Sequence, residues 1–191
     1  MAQELSESTR QSLRLEYFAG APNRTFMVID GASAPSLIDH LYDDDEVAFS
    51  CLLSGELEPD MHEVAPYLIE LEDGTPFAEW VITHGFGHHW GIVLRSSLKH
   101  HHLLRRFRQL LFVRDDQGDP LYFRFYDPRV FRAYLPTCRD EETWPWFDNI
   151  DHYLVEGDEP GLLLRFSADE GQVITAQVQL SPTPTAGRED L

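Results

Sequence analysis

Nine histidines lie in this chain of 191 residues, and His84, His88, His89 and the run His100 to His102 are its most conspicuous candidates for chemistry. With a nearby carboxylate, His84, His88 and His89 could hold a divalent metal and activate water, the chemistry of a metal-dependent hydrolase. Their spacing argues against it. His84 and His88 flank glycines in an expected loop, and three adjacent histidines at a helix start radiate around its axis instead of converging on one ion. No GxSxG elbow and no GxGxxG occurs, and the glycines at Gly85 and Gly87 are not followed by the Lys-Ser or Lys-Thr of a phosphate loop. Cys51 and Cys138 lack CxxC spacing and any catalytic context. The expectation is a chain that is not an enzyme and uses no metal and no cofactor.

A denser constellation occupies FRFYDPRVF, Phe123 to Phe131. As a strand running into a helix, it buries Phe123 and Phe125 and turns Arg124 and Tyr126 to the other face. Asp127 then caps a helix with Pro128 at its first position and Arg129 just inside. Two roles stay open for this junction. Asp127 caps while Arg124 or Arg129 pairs with acids inside the fold, or the guanidinium forks and the phenol grip a partner peptide or carboxylate. Upstream, KHHHLLRRFRQLLFV puts Leu103, Leu104, Phe107, Leu110 and Leu111 on one helical stripe. His101, Arg105 and Arg108 fall on the opposite, solvent side, so this helix displays a basic face.

The elements that must position these side chains are legible from periodicity and punctuation. TFMVID (25–30) predicts a strand, with Ser33 as cap and Pro35 near the start of a helix that aligns Leu37, Ile38, Leu41 and Tyr42. VAFSCLLSG and PYLIELED predict strands. Thr75 and Pro76 open a short helix with Phe77, Trp80 and Val81 inward, which the glycines of THGFGHHWG end. After the strand WGIVLRS, Ser96 or Ser97 caps the basic helix. LLFVRDDQGDPLYFRFYD predicts a hairpin about Gln117 and Gly118, and HYLVEG, LLLRFS and QVITAQVQL predict three closing strands. The sum is an α/β chain of the mixed α+β class: a single domain over 25–180 with a mixed central sheet flanked by helices and a C-terminal antiparallel β-meander. A polar segment precedes it over 1–24, and a tail over 181–191 has the composition of disorder.

Composition narrows the class. With 42% hydrophobic and 25% charged residues the chain is globular, and two cysteines are too few for a secreted disulfide scaffold. Charges at the N-terminus and the lack of any long apolar run predict a cytoplasmic protein with no membrane partner. Thirty-three acids against 15 bases give a net charge of -18, which excludes free nucleic acid as a partner. The distribution is uneven: residues 25–94 hold 14 acids and no Lys or Arg, whereas 95–132 hold nine bases and four acids, a basic island of +5. Such an island is either neutralised by the acidic segments beside it or is a docking surface.

The order V-I-D-G-A (Val28 to Ala32), A-P-Y-L (Ala65 to Leu68), a short helix with Trp80, W-G-I (Trp90 to Ile92), R-x-L-L-F-V (Arg108 to Val113) and F-R-F-Y-D-P-R-V (Phe123 to Val130) resembles the family of domain of unknown function 4123. The likeness spans about Thr25 to Leu135. It implies a cytosolic adaptor chaperone of the bacterial type VI secretion system, which binds a cognate toxic effector and assists its loading onto the VgrG spike without being exported. Trp90, Arg124, Tyr126, Asp127 and Arg129 are the positions that match. With His101, Arg105 and Arg108 of the basic face, they are the expected partner-binding residues. Many family members continue into a longer C-terminal helical portion, in whose place this chain has three expected strands and a short tail. The alternatives are the hydrolase above and an acidic immunity protein that binds a toxin.

Overall fold

The computed structural model describes residues 5–20, 23–114 and 117–180, so the tail expected over 181–191 lies outside the described residues. In chain order the elements are α1 (Glu7–Phe18), β1 (Arg24–Asp30), α2 (Leu37–Asp43), β2 (Phe49–Cys51), α3 (Pro59–Val64), β3 (Pro66–Leu71), α4 (Pro76–His84), β4 (Gly91–Ser96), α5 (His100–Leu110), β5 (Phe112–Arg114), β6 (Pro120–Tyr122), α6 (Pro128–Tyr134), α7 (Trp144–Phe147), β7 (Ile150–Glu156), β8 (Leu162–Asp169) and β9 (Gln172–Gln179). The fold is mixed α+β, as the sequence predicts. None of the described helices is long and apolar enough to cross a membrane.

Seven strands form one sheet in the order β2-β3-β1-β4-β7-β8-β9, and every pairing is antiparallel. The closing meander is as predicted, but the central sheet is antiparallel throughout where a mixed one is expected from alternating strands and helices. The reason lies in one insertion. β3, α4 and β4 form a crossover between two strands that run the same way, and β1 sits between them, antiparallel to both. A local strand-helix-strand pattern cannot reveal a third strand threaded through its middle.

Both faces of the sheet are covered, which explains why its central strands are apolar almost without interruption. Met27, Ile29, Tyr67, Ile69 and Val93 pack with Leu13 and Tyr17 of α1, Leu37 and Leu41 of α2, and Phe77 and Val81 of α4. Phe26, Val28, Leu68, Ile92 and Leu94 face the other way, against Leu103 and Phe107 of α5, Phe125, Phe131 of α6 and Trp146 of α7. The polar segment expected over 1–24 therefore carries a packed helix: Ser6 accepts from the Thr9 amide at 3.1 Å to start it, and Leu13 and Tyr17, one turn apart, fix its inner side.

Several local signals hold. The Thr75 hydroxyl accepts from the Ala78 amide at 3.2 Å with Pro76 in the first turn, and Asp127 accepts from the Arg129 amide at 2.9 Å ahead of Pro128. Others shift. The second helix starts after Ser36, which is left-handed at φ 60°, while Ser33 donates to Asp30. The basic helix starts after Lys99, because the Ser96 hydroxyl, buried, donates to the Asn149 carbonyl and accepts from the Leu98 amide. The hairpin is short: β6 ends at Tyr122, and residues 123–127 turn instead of extending, with the Phe125 amide donating to the Phe123 carbonyl.

Candidate functional site

β1 ends at Asp30, whose side chain points to the same face as Phe26 and Val28 and is only 2% exposed. A buried carboxylate needs donors, and Asp30 receives three: the Ala32 amide at 3.2 Å, the Ser33 hydroxyl at 2.9 Å and the Arg124 guanidinium at 2.5 Å. The Arg124 guanidinium also lies 5.8 Å from the Tyr126 ring centroid. The Tyr126 hydroxyl meets the Tyr122 hydroxyl at 3.0 Å, joining the junction to the hairpin. Asp127 binds Arg129 through Nε at 3.0 Å and Nη2 at 2.7 Å as well as through the amide.

These contacts set the ionisation of the cluster. Burial, and then the hydrogen bond that its hydroxyl donates to Tyr122, push the Tyr126 phenol far up, so it stays neutral. Burial opposes the charge on Arg124, yet Asp30 outweighs it and holds the guanidinium protonated. For Asp127 burial also opposes ionisation, and the hydrogen bonds from Arg129 prevail, keeping the carboxyl below its ordinary range. In this arrangement each charged group is already engaged by another, Arg124 by Asp30 and Arg129 by Asp127.

The expected partner-binding residues therefore divide. Trp90 lies inside, 6% exposed, its ring 4.5 Å from that of Trp80 on the opposite side of the sheet from the junction. It touches the junction only through its backbone, where its carbonyl accepts from the Asp30 amide at 2.8 Å. Tyr126 is buried rather than turned outward, because the chain turns where a strand is expected. Asp127 is a cap. Arg124 and Arg129 remain about half exposed, each already engaged by a carboxylate. On α5, His101, Arg105 and Arg108 all stand in solvent, as the helical periodicity predicts. Arg108 donates to the Cys51 carbonyl at 2.9 Å, and neither it nor Arg105 has a carboxylate partner among the described residues.

The histidines do not gather. His84 and His88 are exposed, and His89, held left-handed at φ 57°, pairs with the buried Glu156. Glu156 also accepts from the Gly87 amide at 2.5 Å, so it fastens the glycine loop to β7. Among the described residues no group of three or more His, Cys, Asp and Glu is placed to hold a metal ion.

Sequence reasoning misses the bare apolar hairpin. Phe112, Val113, Leu121 and Tyr122 are all exposed, on a two-stranded sheet separate from the main one. Their β-forming residue types predict a strand but carry no signal that nothing covers it.

A family model described as domain of unknown function (DUF4123) matches residues 25–144, which takes in β1, the basic helix, the hairpin and the Asp30–Arg124 junction. No curated protein and no solved structure matches the chain.

Proposed function

This chain belongs to the DUF4123 family, and from that premise we propose that it is an adaptor that binds a cognate type VI secretion effector and helps load it onto the VgrG spike, without catalysing a reaction. Its work is differential binding: it holds an effector segment, bridges it to the spike and is released before firing. The observation that carries this reading is the open basic face of α5. In a chain of net charge -18, acids are available to neutralise every base, yet Arg105 and Arg108 are exposed with no carboxylate partner among the described residues. A positive patch on an anionic protein steers an acidic partner and rejects others by repulsion. Binding of this kind happens in the bacterial cytoplasm, before export.

Co-purification tests the proposal. A tagged chain recovers the toxin encoded beside it together with a VgrG, and Arg105→Glu with Arg108→Glu lowers the affinity about tenfold or more, with faster loss at high salt. The domain stays folded, since both side chains project into solvent. Recovery of neither partner counts against the adaptor role, and protection of a susceptible cell by this chain alone identifies an immunity protein instead. Turnover of a substrate at a useful rate overturns the non-catalytic reading.

A further inference from the structure

Resting on that adaptor reading, we infer that the hairpin β5–β6 and the outer face of α5 form one docking surface, and that its occupant is an acidic amphipathic segment of another polypeptide. Four of the ten large apolar side chains that stand exposed among the described residues belong to the hairpin, as two cross-strand pairs on its opposite faces, Phe112 with Tyr122 and Val113 with Leu121, each between 37% and 56% exposed. An isolated two-stranded hairpin is marginal in water, and an exposed pair of large aromatic side chains such as Phe112 and Tyr122 on one face marks an interaction site. This hairpin is nevertheless held in place. The Phe123 amide donates to the Leu111 carbonyl at 2.7 Å at its base, Tyr122 is tied to the buried Tyr126, and the Phe112 and Tyr122 rings meet edge to face at 5.6 Å. A rigid aromatic pair ordered before binding is the kind of anchor on which interface energy concentrates.

Charge identifies the occupant. Within the basic island, Arg106 is neutralised by Asp148, Arg124 by Asp30, Arg129 by Asp127 and Arg132 by Asp158. Arg95 is buried and donates to the Tyr17 and Gly20 carbonyls and the Thr25 hydroxyl, so the exposed arginines of the island with no carboxylate partner among the described residues are Arg105 and Arg108 on α5. α5 runs directly into β5, and Arg108 donates to the carbonyl of Cys51, the same residue whose thiol acts on the Tyr122 phenol, so this cation lies on the Phe112–Tyr122 side of the hairpin. Glutamates or aspartates flanking large apolar residues on one helical or extended face complement both halves. An anionic membrane fits less well, because the net charge of -18 opposes its approach. A second copy of the chain would have to bring its own acids to this face and would then associate with itself.

The test uses the full chain and two fluorescent synthetic peptides of about 18 residues, long enough to form an amphipathic helix. They have the same leucine face; one carries glutamate and the other lysine on the polar face. The glutamate peptide binds, and the lysine peptide binds at least about tenfold more weakly. Phe112→Ser with Tyr122→Ser lowers binding of the glutamate peptide by about tenfold or more. Arg105→Glu with Arg108→Glu does the same without touching the hairpin, so a misfolded hairpin cannot account for both. Equal binding of the two peptides, binding of neither, retained affinity in both variants, preferential binding to phosphatidylserine vesicles, or a dimer that both variants dissolve would each overturn the inference. Failure here is separable from failure of the adaptor role. A toxin and VgrG recovered undiminished by both variants leave that role standing on another surface, whereas peptide binding without any recovered partner leaves the surface and removes the role.

Discussion

Asp127 receives three hydrogen bonds from a single neighbour, Arg129, and its folded-state carboxyl lies below the ordinary value of 3.8. A depressed carboxyl contributes stability that is fully present above its unfolded value and is lost as pH falls through the folded one. Acid unfolding below about pH 4 is therefore shallower in Asp127→Asn than in the parent, and Asp127→Ala costs about 1 kcal/mol at neutral pH through the lost cap, both measured by urea titration. His152 has the opposite chemistry. Burial, and then Arg165, pull its ring below the ordinary 6.5, so it folds neutral. The unfolded chain takes up the proton first, so stability is present above pH 6.5 and declines as pH falls below it. Urea midpoints at pH 7.5 and 5.5 should differ less in His152→Gln than in the parent; an unchanged difference removes His152 from the account.

The crossover from β3 through α4 to β4 depends on close approach at the start of β4. A Cβ on Gly91 would sit 1.9 Å from the Val28 carbonyl oxygen, a backbone atom in the middle of the sheet that cannot rotate away. Gly91→Ala should therefore lower stability by about 1–3 kcal/mol, the range of overpacked cores, seen as a lower urea midpoint with an unchanged slope. At this scale much is legible. Thr75-Pro76 and Asp127-Pro128 mark helix starts because a cap is settled within one turn of chain. The start of α5 is less legible, because Ser96 spends its hydroxyl on Asn149, 53 residues away, and leaves Lys99 to begin the helix. Nor does alternation past Tyr122 survive, since burial of both Phe125 and Tyr126 against α5, α6 and α7 requires a turn.

For the whole molecule the net charge of -18 is a uniform load on the folded state. Self-repulsion in the compact form is screened by salt, so raising NaCl from about 0.02 M to 0.5 M, which shortens the Debye length several-fold, should raise the melting temperature. A falling melting temperature over that range would mean that the ion pairs at Arg24, Arg106 and Arg165 outweigh the repulsion. Association through α5 should respond in the opposite sense, weakening as salt rises, which separates the two effects in one series.

By itself the sequence determined the α+β class, the helix starts at Thr75 and Asp127, the closing meander, the basic face of α5 and the family, since each depends on residues near one another in the chain or on motif order. The tertiary structure alone decided that β1 lies between β3 and β4, that Trp90 and Tyr126 are interior, that Asp30 neutralises Arg124 from 94 residues away, and that the hairpin stays bare. The physical reason is one of range. Caps and periodicity are fixed by backbone geometry over a few residues, whereas which charges find partners and which apolar surface goes uncovered is settled only when distant segments compete to bury the two faces of one sheet.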